Sequence, residues 1–321
     1  MRAAVCHRYG PPEVVALEEL PTPALGSGEL LIRVRATTVN RTDCGYRAGA
    51  PAAIRLVAGL RRPRRPVLGT EFAGEVEATG PGCHRFAVGD HLFGYVEGRF
   101  GAHAQQLVVA EDGSVARIPA GIGHQLAAPA TEGAHYALAF IRVTGVGAGD
   151  AVLVNGATGA IGSAAVQLLA HLGASVVAVC HGDHAELVAG LGAHRVIDHT
   201  TTDPTTDRQR FDAVFDAVGL SSFDRCRHLL HPGGVYCSSE LGRRAVNLPL
   251  SAVGTLTSRR RRVVFPLPRH DRAMVEHLAD LMASGAYRPV IDRHYPLEQI
   301  VDAYHHAESG TKIGNLVIDV P

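Results

Sequence analysis

The 321-residue sequence lacks tryptophan, has a single lysine, Lys312, and contains only six cysteines. The cysteines are scattered without a C-x-x-C pair, which argues against a disulfide framework and against a structural zinc knuckle. Such a chain suits a reducing compartment, so we predict a cytoplasmic location. The first residues also lack the long apolar run of a secretory signal.

The chain also carries no net charge, because its formal charge at pH 7 is zero. This balance gives no general attraction to nucleic acids or to anionic membranes, and we expect neither as a partner. The only long apolar stretch, residues 151–180, is interrupted by polar side chains and predicts a buried sheet rather than a membrane span. Two arginine clusters, at 61–65 and 259–262, predict solvated surface, with an anionic-substrate or RNA patch as the alternative.

The pattern of the chain changes near residue 120. Before it, short apolar runs between glycine and proline turns predict a compact, barrel-like β domain. After it, strands and helices alternate, which predicts an α/β domain with a doubly wound parallel sheet. The predicted strands are Ala3–Val5, Leu30–Val39, Gly74–Glu77, Asp90–Tyr95, Gln105–Val109, Ala151–Val154, Val176–Val179, Arg195–Ile197, Ala213–Val218, Gly234–Ser238, Arg262–Phe265 and Asn315–Val320. The predicted helices include Gln125–Val143, His184–Leu191, Phe223–Leu230, 271–284 and 297–308.

A glycine-rich turn at residues 156–162 joins the predicted strand Ala151–Val154 to a helix. The usual first glycine of G-x-G-x-x-G is Ala157 here, and Gly159 and Gly162 follow at the expected spacing. Unpaired N–H groups and the helix dipole favour an anion at such a helix start, so we predict a dinucleotide pyrophosphate there.

Several stretches together resemble the medium-chain dehydrogenase/reductase superfamily, on its zinc-independent, quinone oxidoreductase side. They occur in the right order over nearly the whole chain. They are Asn40-Arg41-Thr42-Asp43 with Arg47 and Gly49, GTEFAGEVEATG (69–80), FAVGDHLFG (86–94), the glycine turn, FDAVFDAVG (211–219), HPGGVY (231–236) and GTKIGNLVI (310–318).

The resemblance implies a GroES-like catalytic domain over residues 1–120, to which residues 266–321 return. It implies a Rossmann NAD(P)-binding domain over 121–265, with the active site in the cleft between the two domains. It further implies a homodimer in which the edge strand near Arg262–Phe265 pairs across a two-fold axis.

The resemblance also bears on metal. Zinc-dependent members carry a cysteine and a histidine ligand where this chain has Asn40 and Thr70. The neighbouring Glu71 is one carboxylate, whereas catalytic Zn²⁺ takes three protein ligands. We therefore predict that no metal takes part.

Four residues are the candidate catalytic groups. Asn40, at the position of the zinc cysteine, is expected to face the nicotinamide, and Asp43 to order its loop. Tyr46 lies one position beyond the tyrosine of similar proteins, so a catalytic role and a packing role stay open. In TEGAHY (131–136), Glu132 and His135 depart from the family pattern, and His135 is the fourth candidate.

Cofactor choice is read at the end of the second strand of the fold. Cys180 removes the acid typical of NAD enzymes, and His181 and His184 could donate to a 2′-phosphate, although Asp183 would repel it. NADP(H) is favoured and NAD(H) remains possible. The predicted cofactor-binding residues are Thr158, Gly159, Ala160, Ile161, Cys180, His181, Val218, Gly219, Phe265 and Asn315.

The resulting expectation is an NAD(P)H-dependent oxidoreductase, a quinone or enoyl reductase, that reduces an activated alkene or a quinone by hydride transfer. A carbonyl reductase or alcohol dehydrogenase on the same scaffold is the alternative, since it would use the same residues. A non-catalytic nucleotide- or RNA-binding relative is a third reading, suggested only by the arginine clusters.

Overall fold

The computed structural model describes residues 1–96, 98–239, 262–264 and 268–321. The chain forms two compact units, of which the first combines Met1–Glu132 with His270–Pro321 and the second spans Gly133–Arg269. The boundaries predicted from the sequence, 120/121 and 265/266, lie slightly earlier in the chain. No helix in these described ranges is long and apolar enough to cross a membrane.

Strands and helices are numbered here in chain order. The strands are β1 Arg2–Cys6, β2 Val15–Glu19, β3 Glu29–Val39, β4 Glu71–Thr79, β5 His91–Tyr95, β6 Gln106–Ala110, β7 Val115–Arg117, β8 Ala151–Asn155, β9 Ser175–Cys180, β10 Arg195–Asp198, β11 Phe211–Asp216, β12 Leu230–Ser238, β13 Arg262–Val264, β14 Ile291–Pro296 and β15 Asn315–Asp319. The α-helices are α1 Arg41–Ala48, α2 Ile54–Ala58, α3 His124–Ala127, α4 Glu132–Thr144, α5 Ala160–His171, α6 Ala185–Gly190, α7 Phe223–Cys226, α8 Arg272–Ala283 and α9 Ile300–Glu308.

The first unit is built on a mostly antiparallel sheet in the order β14-β15-β3-β4-β5-β7, with β6 also paired to β3. Strand β3 is long enough to pair with β4, β6 and β15, and its register against β4 shifts twice, at Leu31/Ile32 and Val34/Ala36. Such bulges bend a strand and help a sheet to close around its core. That core includes Ile32, Phe72 and Leu92, all fully buried. The predicted GroES-like β domain is confirmed.

The second unit is a six-stranded sheet in the order β10-β9-β8-β11-β12-β13, in which every described pairing is parallel. With β8 as the first strand, this is the order 3-2-1-4-5-6 of a Rossmann fold. The order reverses beside β8, so the glycine turn that follows β8 lies at the topological switch point where such sheets bind ligands. The predicted doubly wound sheet is confirmed.

Two predicted helices differ most from those in the structure. The helix predicted at Gln125–Val143 is divided, because Pro129 lies in a 3₁₀ turn, Ala128–Ala130, between α3 and α4. The helix predicted at Phe223–Leu230 ends at Cys226 and passes through a 3₁₀ turn before β12 begins at Leu230. Three strands, β2, β7 and β14, were not predicted.

Candidate functional site

The glycine turn of the second unit is shaped by two close approaches. Gly156 has φ +80°, and a Cβ there would lie 2.4 Å from the Val218 side chain. A Cβ at Gly162 would lie 2.0 Å from the carbonyl oxygen of Gly156. Glycine is therefore required at both positions by sterics alone, because neither backbone atoms nor a β-branched side chain can retreat.

Gly159 differs from its neighbours because the space around it is open. A Cβ at this position would have only the Gly156 carbonyl oxygen within 4 Å, at 3.7 Å. Gly159 is also the N-cap of α5 and offers no side-chain cap to the first turn. The start of α5 can therefore receive the oxygens of a bound anion, and the residues present fit a dinucleotide pyrophosphate.

A buried carboxylate braces the strand ends around this turn. Asp216, fully buried at the end of β11, accepts hydrogen bonds from Asn155 Nδ2 (3.0 Å) and the Tyr236 hydroxyl (2.8 Å). It also accepts from the backbone N–H groups of Gly219 (3.0 Å) and Ser221 (3.0 Å). The loop after β11 is thereby held against the end of β8.

The structure brings together eight of the ten predicted cofactor residues. Six are in the turn and in the loop after β11, which meet where Gly156 packs against Val218. Cys180 and His181 end the neighbouring strand β9, whose Val179 carbonyl accepts from Gly156 N–H (3.2 Å) and Ala157 N–H (3.0 Å). Asn315 belongs to the first unit, where its Nδ2 donates to the Val290 carbonyl (3.0 Å). Phe265 lies outside the described residues.

In the first unit, the Asn40 side chain caps α1 and also contacts Thr70. Its Oδ1 accepts from Asp43 N–H (2.9 Å), and Asp43 Oδ2 accepts in return from Asn40 N–H (3.2 Å), which is a reciprocal capping box. Asn40 Nδ2 donates to Thr70 Oγ1 at 2.7 Å. The two positions at which the family resemblance implies zinc ligands in zinc-dependent members are thus joined by a direct hydrogen bond.

Asp43 is fully buried and holds the loop before β4 as well as its own helix. Its Oδ1 accepts from Gly69 N–H at 3.1 Å. His103 Nε2 lies 3.8 Å from Asp43 Oδ2 and donates to the Thr38 carbonyl at 2.7 Å. Burial lowers the pKa of His103 to about 4, so this imidazole is neutral near pH 7.

Glu71 is the centre of a polar cluster that the sequence reading did not assign. Its Oε1 accepts from Thr131 N–H (3.0 Å), Thr131 Oγ1 (2.8 Å) and Glu132 N–H (2.6 Å), and its Oε2 accepts from Thr38 Oγ1 (2.6 Å). Burial raises the pKa of the Glu71 carboxyl, and these four donors oppose the shift. Glu71 therefore anchors residues 131–132 to the sheet of the first unit.

Glu132 extends the same cluster. Its Oε1 accepts from Thr42 Oγ1 (2.6 Å), and its Oε2 accepts from the Tyr95 hydroxyl (2.6 Å). The Tyr95 ring stacks on His270, with centroids 5.0 Å apart. In the sequence, the only signal for this cluster was the unexpected Glu132 in TEGAHY (131–136). Its partners come from α1 and β5 and cannot be read from the sequence.

The two remaining catalytic candidates lie in different units. The ring of Tyr46, half-buried in the first unit, packs edge-on against Phe100 with centroids 4.5 Å apart. His135 is buried in α4 of the second unit, with its ring 4.6 Å from that of Tyr136. The catalytic roles assigned to Asn40, Asp43, Tyr46 and His135 stay predictions.

The described part of the chain contains no group of three or more His, Cys, Asp and Glu side chains placed to hold a metal ion. The arginines at 61, 62, 64 and 65 are exposed, as predicted for solvated surface. Of the second arginine cluster, residues 259–261 lie outside the described residues.

Comparison with known proteins agrees with this architecture. Residues 26–120 match the family model described as the alcohol dehydrogenase GroES-like domain, and residues 191–318 match the model described as zinc-binding dehydrogenase. The chain is 28% identical to the quinone oxidoreductase of Pseudomonas aeruginosa, covering 97% of each chain. It is 27% identical to the 2-haloacrylate reductase of a Burkholderia species, covering 98% of each.

A third relative is much longer. The chain is 30% identical over 94% of its length to the polyketide synthase GfsB of Streptomyces halstedii, but it spans only 5% of that protein. Among solved structures, a mycobacterial protein in complex with NADPH is similar, with a TM-score of 0.81 at 25% identity, covering 99% of this chain and 100% of that one.

The fold and the site define a two-unit protein of the dehydrogenase class, with a GroES-like sheet and a Rossmann sheet. The chain belongs to the medium-chain dehydrogenase/reductase superfamily and is quinone oxidoreductase-like.

Proposed function

We propose that this protein is an NAD(P)H-dependent oxidoreductase that reduces an activated alkene or a quinone by hydride transfer without a metal ion. The observation that carries the proposal is the open helix start at Gly159, at the switch point of a 3-2-1-4-5-6 sheet. The NADPH complex of the similar mycobacterial protein supports a nicotinamide cofactor.

The relatives support the substrate class. One is named for quinones and another for 2-haloacrylate, an alkene conjugated to a carboxylate. Both are electron-poor π systems, which accept hydride at carbon and collect negative charge on oxygen. When bound, the cofactor supplies that hydride.

The chain's own residues then have to stabilise the negative oxygen. Thr70 Oγ1 accepts a hydrogen bond from Asn40 Nδ2. The hydroxyl hydrogen of Thr70 therefore points in another direction and can form a hydrogen bond with a different acceptor. We assign this donor to the substrate oxygen, because a pre-oriented hydrogen bond in a dry site stabilises charge that develops in the transition state. Asp43 holds Asn40 through the capping box and so positions the pair.

The direct Asn40–Thr70 contact also supports the metal-free part of the proposal. Amide and hydroxyl groups are not among the Cys, His and carboxylate ligands that usually bind zinc in proteins, and here they bind one another. Hydrogen bonds stabilise a negative substrate oxygen less strongly than a Lewis-acid metal ion does. A site without a metal therefore favours substrates that delocalise the developing charge, such as enones and quinones, over simple aldehydes.

Product analysis tests this function. The purified chain would be supplied with NADPH or NADH and a panel of enones, quinones and aldehydes, and the products would be identified. Saturated ketones and hydroquinones are expected, with turnover unaffected by EDTA. Alcohols formed from aldehydes, with activity lost to EDTA and restored by zinc, would replace the proposal with a zinc alcohol dehydrogenase. No turnover, together with salt-sensitive binding of single-stranded RNA, would favour the binding-protein reading.

A further inference from the structure

Three histidines meet at the carboxyl ends of two neighbouring strands of the second unit. His181 and His184 follow β9, and His199 follows β10. The two strands pair in parallel with Cys180 opposite Asp198, so their ends lie side by side. The centroid of the His181 ring lies 6.1 Å from that of His184 and 6.1 Å from that of His199.

This histidine cluster, His181, His184 and His199, adjoins the glycine turn. The turn is tied to the end of β9 by the two hydrogen bonds that the Val179 carbonyl accepts. In a Rossmann sheet, the side chains just after the second strand read the ribose next to the adenine. Under the proposed function, the cluster therefore lies where the 2′-hydroxyl of NADH or the 2′-phosphate of NADPH would fall.

Among the described residues, carboxylates also lie near this cluster. Asp183 is 81% exposed, and its Oδ2 lies 3.5 Å from His181 Nδ1. Asp198 accepts from the N–H (2.9 Å) and the hydroxyl (2.7 Å) of Thr200, and these bonds hold its pKa below the usual range. Glu186 on α6 is exposed. Burial raises the pKa of the Cys180 thiol, which stays neutral.

The electrostatic character of this edge therefore depends on the imidazoles. When they are neutral, the fixed charges are negative and oppose a phosphate. Protonation of an imidazole adds a positive charge beside these carboxylates. Histidine is the side chain that changes charge between about pH 5 and pH 8, and a phosphate monoester loses its second proton near pH 6.

His181 couples this change to its neighbour. In the neutral ring, Nδ1 accepts the Asp183 N–H at 3.2 Å, so the ring proton is on Nε2. Protonation puts a hydrogen on Nδ1, which then donates to the Asp183 carboxylate beside it. The carboxylate that would repel a phosphate thereby acquires a cationic partner.

We propose that His181, His184 and His199 together select the cofactor through their protonation, so that the preference for NADPH over NADH strengthens as the pH falls. The inference rests on the proposed function, because it concerns the ribose end of the same cofactor site. It adds His199, which the sequence alone does not connect with the cofactor, and it makes the preference a function of pH.

Cofactor titrations test the proposal on the full chain. The fluorescence of NADPH and of NADH would be followed at about pH 6.5, within the range over which histidine changes charge, and at about pH 8.5, above that range. Calorimetry with adenosine 2′,5′-bisphosphate and with 5′-AMP provides a probe without nicotinamide. We expect the ratio of the NADH to the NADPH dissociation constant to rise at least about tenfold at the lower pH.

Variants of the exposed rings separate this effect from general changes in binding. His181→Gln and His199→Gln should each reduce the pH dependence of the ratio severalfold. His194→Gln is the matched control, because His194 is exposed at the opposite, amino-terminal end of β10. It should behave as the unmodified chain.

Two results would overturn the inference. A ratio that is the same at both pH values, with both cofactors bound, would remove the histidine selection and leave the proposed function intact. An equal effect of His194→Gln and His199→Gln would do the same. If neither cofactor binds at any pH, the proposed function fails and the inference fails with it.

Discussion

The carbonyl oxygen of Gly156 packs against the Cα of Gly162, so closely that a Cβ at position 162 would lie 2.0 Å from that oxygen. Three residues earlier in the chain, Gly159 has open space instead. The two glycines of one motif therefore serve different ends: Gly162 lets the helix pack on the strand, and Gly159 leaves room for a ligand. This difference can be tested by substitution.

Gly162→Ala should lower the free energy of unfolding by about 1–3 kcal/mol, the usual cost of forcing an extra methyl group into a packed site. Urea titration would measure it. Gly190→Ala is the control, since a Cβ at Gly190 in α6 meets nothing within 4 Å and alanine should slightly stabilise that helix. Equal stability of the two variants would contradict the close packing.

Gly159→Asp should leave the fold intact and weaken cofactor binding by at least about 100-fold, because it places a carboxylate against the pyrophosphate. Circular dichroism would check folding, and titration with NADPH would measure affinity. Gly159→Ala, which adds volume without charge, should cost much less. Unchanged affinity of the aspartate variant would mean that the pyrophosphate does not bind at this helix start.

Thr70→Val should lower kcat by about 100-fold, the loss typical of removing one donor to a developing oxyanion, with little change in cofactor affinity. Thr37→Val is the matched control: Thr37 is also buried, and its hydroxyl donates to the Glu71 carbonyl at 2.6 Å. Both variants lose a buried hydrogen bond, so similar losses of stability are expected. Similar kcat values would show that Thr70 is merely structural.

His103 should make the protein less stable in acid. Its folded-state pKa is about 4 and the ordinary value is 6.5, so the unfolded chain binds the extra proton between these values. Stability from this residue is present above pH 6.5 and is lost as the pH falls towards 4, by about 3 kcal/mol in total. The pH dependence of urea unfolding should be shallower in His103→Gln, but unchanged in His171→Gln, which alters an exposed histidine.

Much of the fold could be predicted because its signals are local. The glycine spacing between Ala151 and Gly162, with apolar runs on both sides, specifies a strand, a turn and a helix within a few residues. Where a local signal was misread, as at Pro129, the cause was also local: the proline lacks an N–H and interrupts a helical pattern that its neighbours continue.

The candidate site was less predictable. Asn40 and Thr70 were recognised as related positions through a family resemblance, but nothing in the sequence states that they bind each other. The partners of Glu71 come from β3 and from the segment before α4, and those of Glu132 come from α1 and β5. Residues so far apart along the chain produce no periodic pattern in the sequence from which their contact could be predicted.

The sequence by itself determined the two sheet types, the phosphate-binding turn and the family, because hydrophobic period, glycine spacing and motif order are properties of the chain read in one direction. Only the tertiary structure decided which polar groups meet. Strand pairing places His199 beside His181, and it brings the acceptor Glu71 to the donors Thr38 and Thr131. These contacts depend on sheet order, and sheet order arises from long-range packing rather than from neighbouring residues.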